Sequence, residues 1–516
     1  MSFLDSLLSY YSLNQQQYEG LITKPSFSLL PTLNEDPSAK KAKDRILLAI
    51  SNQEKILVYG DYDVDGISSC SIIVKAIKEL GGDVKGYLPS RYLDGYGFNL
   101  DNYQQIKEAG YSLIILTDNG ATAFEPLEAA FQNKSDVIII DHHQLSDKLP
   151  LCYALIHPDI CSVSNVPISA GFLSFIFSRF LLDRDDPYLC FLGALSTISD
   201  MMPLTGNNRD VVKLGISLMK EENFLPFALL LQGNPINERT LAMNVIPSLN
   251  AVGRLFEGKE INRLLPFFLM ESPSMESVAN WILETNSRRK AITKDAATTL
   301  TINEEDSGIV TISPLPEGCS GLLANRLLSV YKKPVCVFAP SFKDPNILVG
   351  SMRSREGFNV IEALKGSSAP LLTYGGHALA GGLSIKKEDY DSFVKGFEKA
   401  ALFHPLVEQN VKSIPLSIKD ATLENYKLLQ TLSPFGMGWE EPSFLIGPLN
   451  RESLSYAKDG LYISTRLSPS ARLFSFYLGE KDLKKGRAFS FYVKMTENNY
   501  RGKTTLDLLA ESALLN

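Results

Sequence analysis

Three apolar runs in the first third of the chain each stop at acidic or imidazole residues, and this pattern constrains the fold more than any other feature. Lys55-Ile56-Leu57-Val58-Tyr59-Gly60 runs into Asp61-Tyr62-Asp63-Val64-Asp65-Gly66. Ser112-Leu113-Ile114-Ile115-Leu116-Thr117 runs into Asp118-Asn119-Gly120, and Asp136-Val137-Ile138-Ile139-Ile140 runs into Asp141-His142-His143. Short runs with so few charges read as strands buried on both faces, the mark of a parallel sheet. Segments of helical period lie around them: Ser69 to Leu80, Asn102 to Ala109 and Phe124 to Gln132. The series predicts an α/β fold with a doubly wound parallel sheet. In such sheets, ligands bind beyond the carboxyl ends of the strands.

Carboxylates gathered at neighbouring strand ends repel one another, so something positive must offset them. Hard divalent cations prefer carboxylate oxygens, and Mn²⁺ also accepts imidazole. The cluster therefore reads as a two-metal site, of the kind that clamps the attacking and leaving oxygens of a phosphoryl displacement. A single Asp after a strand is ordinarily a helix cap or a turn former. The Asp61 to Gly66 run alone also suits a Ca²⁺ loop, but the twelfth position is Ile72, where such a loop needs a bidentate Glu. Three separate strand ends with the same pattern favour the cluster.

The chain has 516 residues, too many for one core, so two to four domains are expected. Its 51 basic and 58 acidic residues leave a net charge of −7, so nucleic-acid binding would need local patches or metal ions. The six cysteines form no CxxC pair, which argues against a zinc site; free thiols in a reducing cytoplasm are expected. Met1-Ser2-Phe3-Leu4-Asp5 lacks the basic start of a signal peptide, and apolar stretches such as Leu264 to Met270 are too short to span a bilayer.

Phe172 to Leu182 reads as a buried helix, and residues 188–232 continue in helical period. Over Ser274 to Leu300, Met275, Val278, Ala279, Ile282 and Leu283 share one face of a long helix. Its second half is polar and basic (Arg288, Arg289, Lys290, Lys294), either a solvated face or the wall of a nucleic-acid channel. A second α/β segment follows: strands at Gly308 to Ser313, Pro334 to Ala339 and Ile347 to Met352, and a helix at Leu322 to Tyr331. Lys458-Asp459-Gly460 between Ser453 to Tyr456 and Leu461 to Leu467 signals a hairpin. With Phe474 to Leu478, Ala488 to Met495 and Thr504 to Leu509, it predicts a small barrel of OB type. The expected domains are 1–273, a bridging helix 274–300, 301–405 and 406–516.

In order along the chain come the Asp61 run, Asp118-Asn119-Gly120, Asp141-His142-His143, Ser199-Asp200 and Asn250-Ala251-Val252-Gly253-Arg254. Met352-Arg353-Ser354 and Gly375-Gly376-His377 follow. This ordered set resembles the DHH phosphoesterase superfamily, and within it the RecJ single-strand-specific exonucleases, from about residue 45 to the C-terminus. The resemblance implies a catalytic DHH domain, a DHHA1 domain and an OB-like domain. It implies two Mn²⁺ or Mg²⁺ ions and 5′-to-3′ hydrolysis of single-stranded DNA to mononucleotides, in DNA repair and recombination. Asp61, Asp63, Asp65, Asp118, His142 and Asp200 would be the metal ligands. Asp141 would orient or bridge, and His143 would face the phosphate as a donor or acid. Arg353, Ser354, Gly375, Gly376 and His377 would hold a substrate phosphate, and Asn250 and Arg254 would line the path to the metals. Single-strand-binding protein or a helicase are the implied protein partners, and a single chain needs no second subunit.

In the barrel, Arg466, Arg472, Lys494, Arg501 and Lys503 interleave with Tyr462, Phe474, Phe476, Tyr492 and Tyr500, as a base-stacking groove requires, although such aromatics equally suit a core. The chain departs from the family at Ser199, where an Ala is usual, and at Gly438-Trp439-Glu440-Glu441-Pro442, where Gly-Asn-Pro-Glu-Pro is usual. It ends near the barrel, so no further C-terminal interaction domain is expected. Two other readings are a DHH phosphodiesterase of short oligonucleotides or cyclic dinucleotides, and an inactive scaffold. The barrel and the long helix disfavour the first, and the intact acidic set disfavours the second.

Overall fold

The computed structural model describes residues 2–95, 97–404, 406, 412–476, 478–483, 486–500 and 503–515. The chain divides into two compact units, residues 26–409 and residues 1–25 with 410–516.

In the larger unit, β1 (Ile56–Tyr59), β2 (Val84–Tyr87), β3 (Leu113–Thr117), β4 (Asp136–Ile140) and β5 (Ala154–Ile156) form a sheet of order β2-β1-β3-β4-β5. Every pairing is parallel. Thr117 is level with Ile140, and Ile140 with Ile156, so the residues after these strands leave the sheet side by side. Leu57, Tyr59, Ile114, Leu116, Val137 and Ile139 form one core layer with Tyr103 and Leu127 of the helices Leu100–Glu108 and Phe124–Gln132. The helices α1 (Val64–Glu79) and α2 (Ala170–Leu182) pack against each other, and both contact β3. Burying one such Ile or Leu contributes about 1.5–3 kcal/mol. The edge strand β2 is only half-buried and escapes the sequence pattern.

The helix α1 begins at Val64, five residues before the expected Ser69, because Asp63 caps it. The Asp63 carboxylate accepts the N–H groups of Asp65 and Gly66 at 3.0 and 3.1 Å. After the sheet come α3 (Pro187–Ser199), helices Gly206–Glu222 and Leu225–Leu231, and α4 (Ile246–Leu255), which follows a π-helical turn at Leu241–Val245. The long helix α5 (Met275–Thr299) is capped by Ser274, whose hydroxyl accepts the Ser277 N–H, and it buries Met275, Val278, Ala279 and Ile282.

A second sheet follows, with β6 (Ile309–Ile312), β7 (Val335–Pro340), β8 (Ile347–Arg353), β9 (Thr373–His377) and β10 (Ala380–Lys386) in the order β6-β7-β8-β10-β9. Only β6 and β7 pair in parallel. The helix α6 (Ser320–Tyr331) packs on β7 and β8. The strands β9 and β10 were not foreseen; in β9, Thr373-Tyr374-Gly375-Gly376-His377 has no buried residue to give a period.

The smaller unit holds β11 (Ser413–Leu416), β12 (Ser443–Asn450), β13 (Tyr456–Ala457), β14 (Tyr462–Arg466), β15 (Ala471–Phe474), β16 (Ala488–Tyr500) and β17 (Lys503–Leu515). They form one sheet of order β11-β12-β16-β17-β15-β14-β13. The hairpin expected at Lys458-Asp459-Gly460 joins β13 to β14, with φ of 49°, 56° and 87°. The strand expected at Phe474 to Leu478, of which residue 477 lies outside the described residues, begins earlier and spans Ala471–Phe474, since the Ser468 hydroxyl accepts the N–H groups of Ser470 and Ala471 and ends the preceding turn early. Helices Phe3–Tyr11 and Gln15–Ile22 bury Leu7 and Tyr18 in this unit's core, and Phe3 stacks on Phe444. The first 25 residues therefore pack with the C-terminal strands and not within a 1–273 domain. The boundary expected at 405–406 falls beside residues 405 and 407–411, which lie outside the described residues. Among the described residues, no helix is long and apolar enough to cross a membrane.

Candidate metal centre and phosphate-binding edge

The loop after β1 folds tightly on itself. A Cβ on Gly66 would lie 2.4 Å from the Asp61 nitrogen, so only glycine lets the first turn of α1 pass over Asp61. Asp65 then points inward, where it accepts the Ala170 and Gly171 N–H groups at the start of α2 (3.0 and 2.7 Å) and the Ser196 hydroxyl of α3 (2.5 Å). The turn after β3 holds Asp118 at φ +62°, a left-handed conformation that costs about 1–3 kcal/mol in a residue with a side chain. Asn119 ties this turn to the end of β1 by donating to the Gly60 carbonyl at 3.1 Å.

His142, after β4, stands at the centre. Its Nε2 lies 3.3 Å from Asp118, 3.6 Å from Asp65 and 3.6 Å from Asp200. Asp200 caps the end of α3. Two groups of potential ligands thus share one imidazole: Asp118, His142 and His143, and Asp65, His142 and Asp200. Of the six expected ligands, Asp65, Asp118, His142 and Asp200 converge within these groups. Asp61 and Asp63 adjoin them electrostatically, with Asp63 committed to capping α1.

Asp141 does different work. One oxygen accepts the His142 N–H, the His143 N–H and a 2.8 Å hydrogen bond with His143 Nδ1, and the other accepts the Ala121 N–H. Burial opposes its charge, but these bonds and the His143 charge hold Asp141 at about 2. Burial also opposes charge on His143, yet Asp141 raises it to about 9, so His143 is protonated at neutral pH. His142 is held below the usual imidazole value, chiefly by burial, and keeps the neutral form that offers a lone pair.

Four of the other carboxylates are held above their ordinary range. Burial and mutual repulsion raise Asp118 far above the ordinary carboxylate range and raise Asp63, Asp61 and Asp200 as well. Several carboxylates and a neutral imidazole, buried and short of positive charge, fit a hard or borderline divalent cation such as Mg²⁺ or Mn²⁺.

The second group lies around α4 and the second sheet. The Asn250 side chain accepts the Val64 N–H at 3.0 Å, so it holds the first loop from behind. Half-buried Arg254 donates to the Gly318 carbonyl at 2.9 Å. Burial, then the charges of Arg91 and Arg289, lower its pKa to about 10, while Asp63 opposes the shift. Arg91 was missed in the sequence; its guanidinium lies 4.2 Å over the Tyr62 ring, and its Nε has no hydrogen-bond partner among the described residues. A lone arginine in the Pro89-Ser90-Arg91-Tyr92 loop carries no spacing signal.

Arg353 is level with Ala380 and His377 across β8, β10 and β9, and Ser354 follows it. The Arg353 guanidinium sits where a Cβ on Gly321 of α6 would be, 2.7 Å away. Gly376 has φ +133° and no room for a Cβ, since the Ala380 carbonyl oxygen would lie 2.4 Å from it. Its neighbour Gly375 has open space there, which leaves the backbone accessible to a ligand.

In the smaller unit, Tyr462, Phe474 and Phe476 cluster on the outward face of β14 and β15, and Arg472 stacks on Phe474 at 4.7 Å. A cavity of about 440 Å³ beside them is lined by Arg466, Arg472, Asn498 and Lys503. Lys494 instead donates to the Glu441 carbonyl, and Tyr492 is half-buried. Arg501 and the Tyr500 side chain lie outside the described residues.

A parallel sheet with this Asp and His set at its carboxyl edge places the molecule in the DHH class: a DHH family N-terminal domain model matches residues 55–181, and a DHHA1 domain model matches residues 308–401. A RecJ OB domain model matches residues 413–512. The chain is 33% identical over 425 residues to the single-stranded-DNA-specific exonuclease RecJ of Bacillus subtilis (strain 168), covering 79% of this chain and 54% of that protein. It is 30% identical over 448 residues to RecJ of Escherichia coli (strain K12), covering 78% of this chain and 77% of that protein. A crystal structure of RecJ in complex with Mn²⁺ from Thermus thermophilus matches with a TM-score of 0.81 at 24% identity, covering 96% of this chain and 73% of that one. The chain belongs to the RecJ family. It spans about half (54%) of the Bacillus subtilis relative's length.

Proposed function

We propose that the chain is a metal-dependent exonuclease that degrades single-stranded DNA from its 5′ end to mononucleotides, acting in the cytoplasm in DNA repair and recombination. The observation that carries this reading is the set of buried, mutually repelling carboxylates around a neutral His142. Asp65, Asp118, His142 and Asp200, with Asp61 and Asp63 beside them, would hold two Mn²⁺ or Mg²⁺ ions. When bound, such ions polarise the scissile phosphate and acidify water.

The protein's own groups then divide the remaining work. Asp141 keeps His143 protonated and oriented, so His143 donates a hydrogen bond or proton to the phosphate or leaving oxygen. Arg254 and Arg91 supply fixed positive charge beside the first loop. Arg353, Ser354, His377 and the open backbone at Gly375 hold a phosphate, the arginine through its planar fork. The Tyr462, Phe474 and Phe476 face with Arg466, Arg472 and Lys503 stacks bases and tracks the strand. We further propose four functional segments after residue 25, with bounds at 273, 300 and 405, a monomeric chain, and recruitment by single-strand-binding protein or a helicase.

The deciding experiment is a nuclease assay on 5′- and 3′-labelled DNA, single- and double-stranded, with Mn²⁺ or EDTA. Release of 5′-labelled mononucleotides from single strands only with Mn²⁺ is expected. Cleavage confined to dinucleotides, or none, overturns the reading.

A further inference from the structure

One buried histidine has no part in the centre described above. His157 follows β5 and is 1% exposed. Its place is fixed by the sheet: the Asp141 N–H donates to the Ile156 carbonyl at 3.2 Å, so His157 leaves β5 beside the loop that leaves β4. Both ring nitrogens are engaged. Nδ1 accepts the Asp159 N–H at 3.2 Å, where His157 caps the short helix Pro158–Cys161. A nitrogen that accepts carries no proton, so the proton of the neutral ring sits on Nε2. Nε2–H then donates to the His143 carbonyl at 2.9 Å.

We infer that His157 is a positioning residue for His143. The His143 residue is held at three points: ring and N–H by Asp141, carbonyl by His157. The Asp141 bonds fix the ring and the N–H of His143, and the His157 bond adds a hold on its carbonyl side. Buried and with both nitrogens occupied, His157 is not a metal ligand.

The inference rests on the nuclease reading for its kinetic arm alone. The chain has five histidines, so ¹⁵N-imidazole spectra are tractable. In the metal-free wild type, the His157 tautomer should be Nε2–H, and the His143 Nδ1–H resonance should lie far downfield through its bond to Asp141. The opposite His157 tautomer overturns the inference without any variant or any activity. His157→Met removes the donor while keeping the length, and His157→Gln restores a donor at similar reach. Loss of an outer-layer partner of this kind typically costs roughly 10–100-fold. The Met variant should lose about that much kcat with KM for single-stranded DNA nearly unchanged, and its His143 resonance should broaden or shift. The Gln variant should recover most of both. Equal losses in Met and Gln, or a KM change without a kcat change, would show a packing role only. If the wild type has no nuclease activity, the proposed function fails, while the resonances still decide the positioning role.

Discussion

The two sheets of residues 26–409 finish their strands in opposite ways. The first ends in buried carboxylates: Asp61, Asp65 and Asp118 are 5%, 1% and 3% exposed. The second ends in open backbone: all five residues of β9 are exposed, with Arg353 level with His377 across β10. One edge gathers negative charge where water is scarce and therefore calls for cations. The other presents donors and bare peptide, which suits an anion. A phosphodiester needs both: ions to polarise the bond being broken, and a cationic grip that leaves those ions alone.

Breaking the first edge should have the largest effect. Asp118→Ala removes the carboxylate nearest the His142 Nε2, at 3.3 Å. Cleavage should fall below detection while single-stranded DNA binding, measured by fluorescence anisotropy, stays near wild type. The same position sharpens the contrast: Asp118→Asn should raise the melting temperature of the metal-free protein, because it removes the cost of burying or protonating a repelled carboxylate. A variant that still cleaves at wild-type rate would remove Asp118 from the centre.

The charge imbalance also sets a pH dependence. Asp61 and Asp200 stand at about 7 and about 8, against an ordinary value of 3.8. Between about pH 4 and pH 8 the folded metal-free chain therefore keeps protons that the unfolded chain has released. Stability must then fall as pH rises through that window. Saturating Mn²⁺ should flatten or reverse the trend, since binding favours deprotonated ligands. Thermal unfolding in EDTA from about pH 5 to about pH 8 checks this. A melting temperature that climbs over that span without metal would mean the carboxylates are already balanced.

How much of this was legible in the sequence depended on what each residue does. Strand-end carboxylates stand out because β1, β3 and the last four residues of β4 carry no charge, so the next charge marks the end of the strand. Asp61, Asp63 and Asp65 could not be told apart by spacing; only the folded turn makes Asp63 a cap and turns Asp65 toward α2. Arg91 and His157 are single residues whose partners, Tyr62 and the His143 carbonyl, are set by tertiary contact. Nothing in the pattern of the first 25 residues names the core that buries Leu7 and Tyr18.

On the second edge, two adjacent glycines separate fold from function. Gly376→Ala forces a side chain into a left-handed backbone at φ +133° and against the Ala380 carbonyl, which should cost about 1–2 kcal/mol or more of stability. Gly375→Ala meets nothing, so its melting temperature should match wild type. If the open backbone there approaches a phosphate, the added methyl should raise KM about tenfold with little change in kcat, since both ground and transition states lose the contact. Unchanged kinetics in Gly375→Ala would reduce that edge to a plain turn.

The smallest effect is expected in the smaller unit, where contacts to a strand are many and each is weak. Phe476 is 61% exposed and packs edge-on to Phe474 at 4.6 Å, so it is one face of a three-ring cluster. Stacking contributes roughly 1–3 kcal/mol per base, and an outer ring should sit at the low end of that range. Phe476→Ala should therefore weaken binding of long single strands about fivefold and leave cleavage of a short oligonucleotide unchanged. The length dependence separates a base platform from a local packing defect, because a defect that disturbs the fold would not track the length of the DNA.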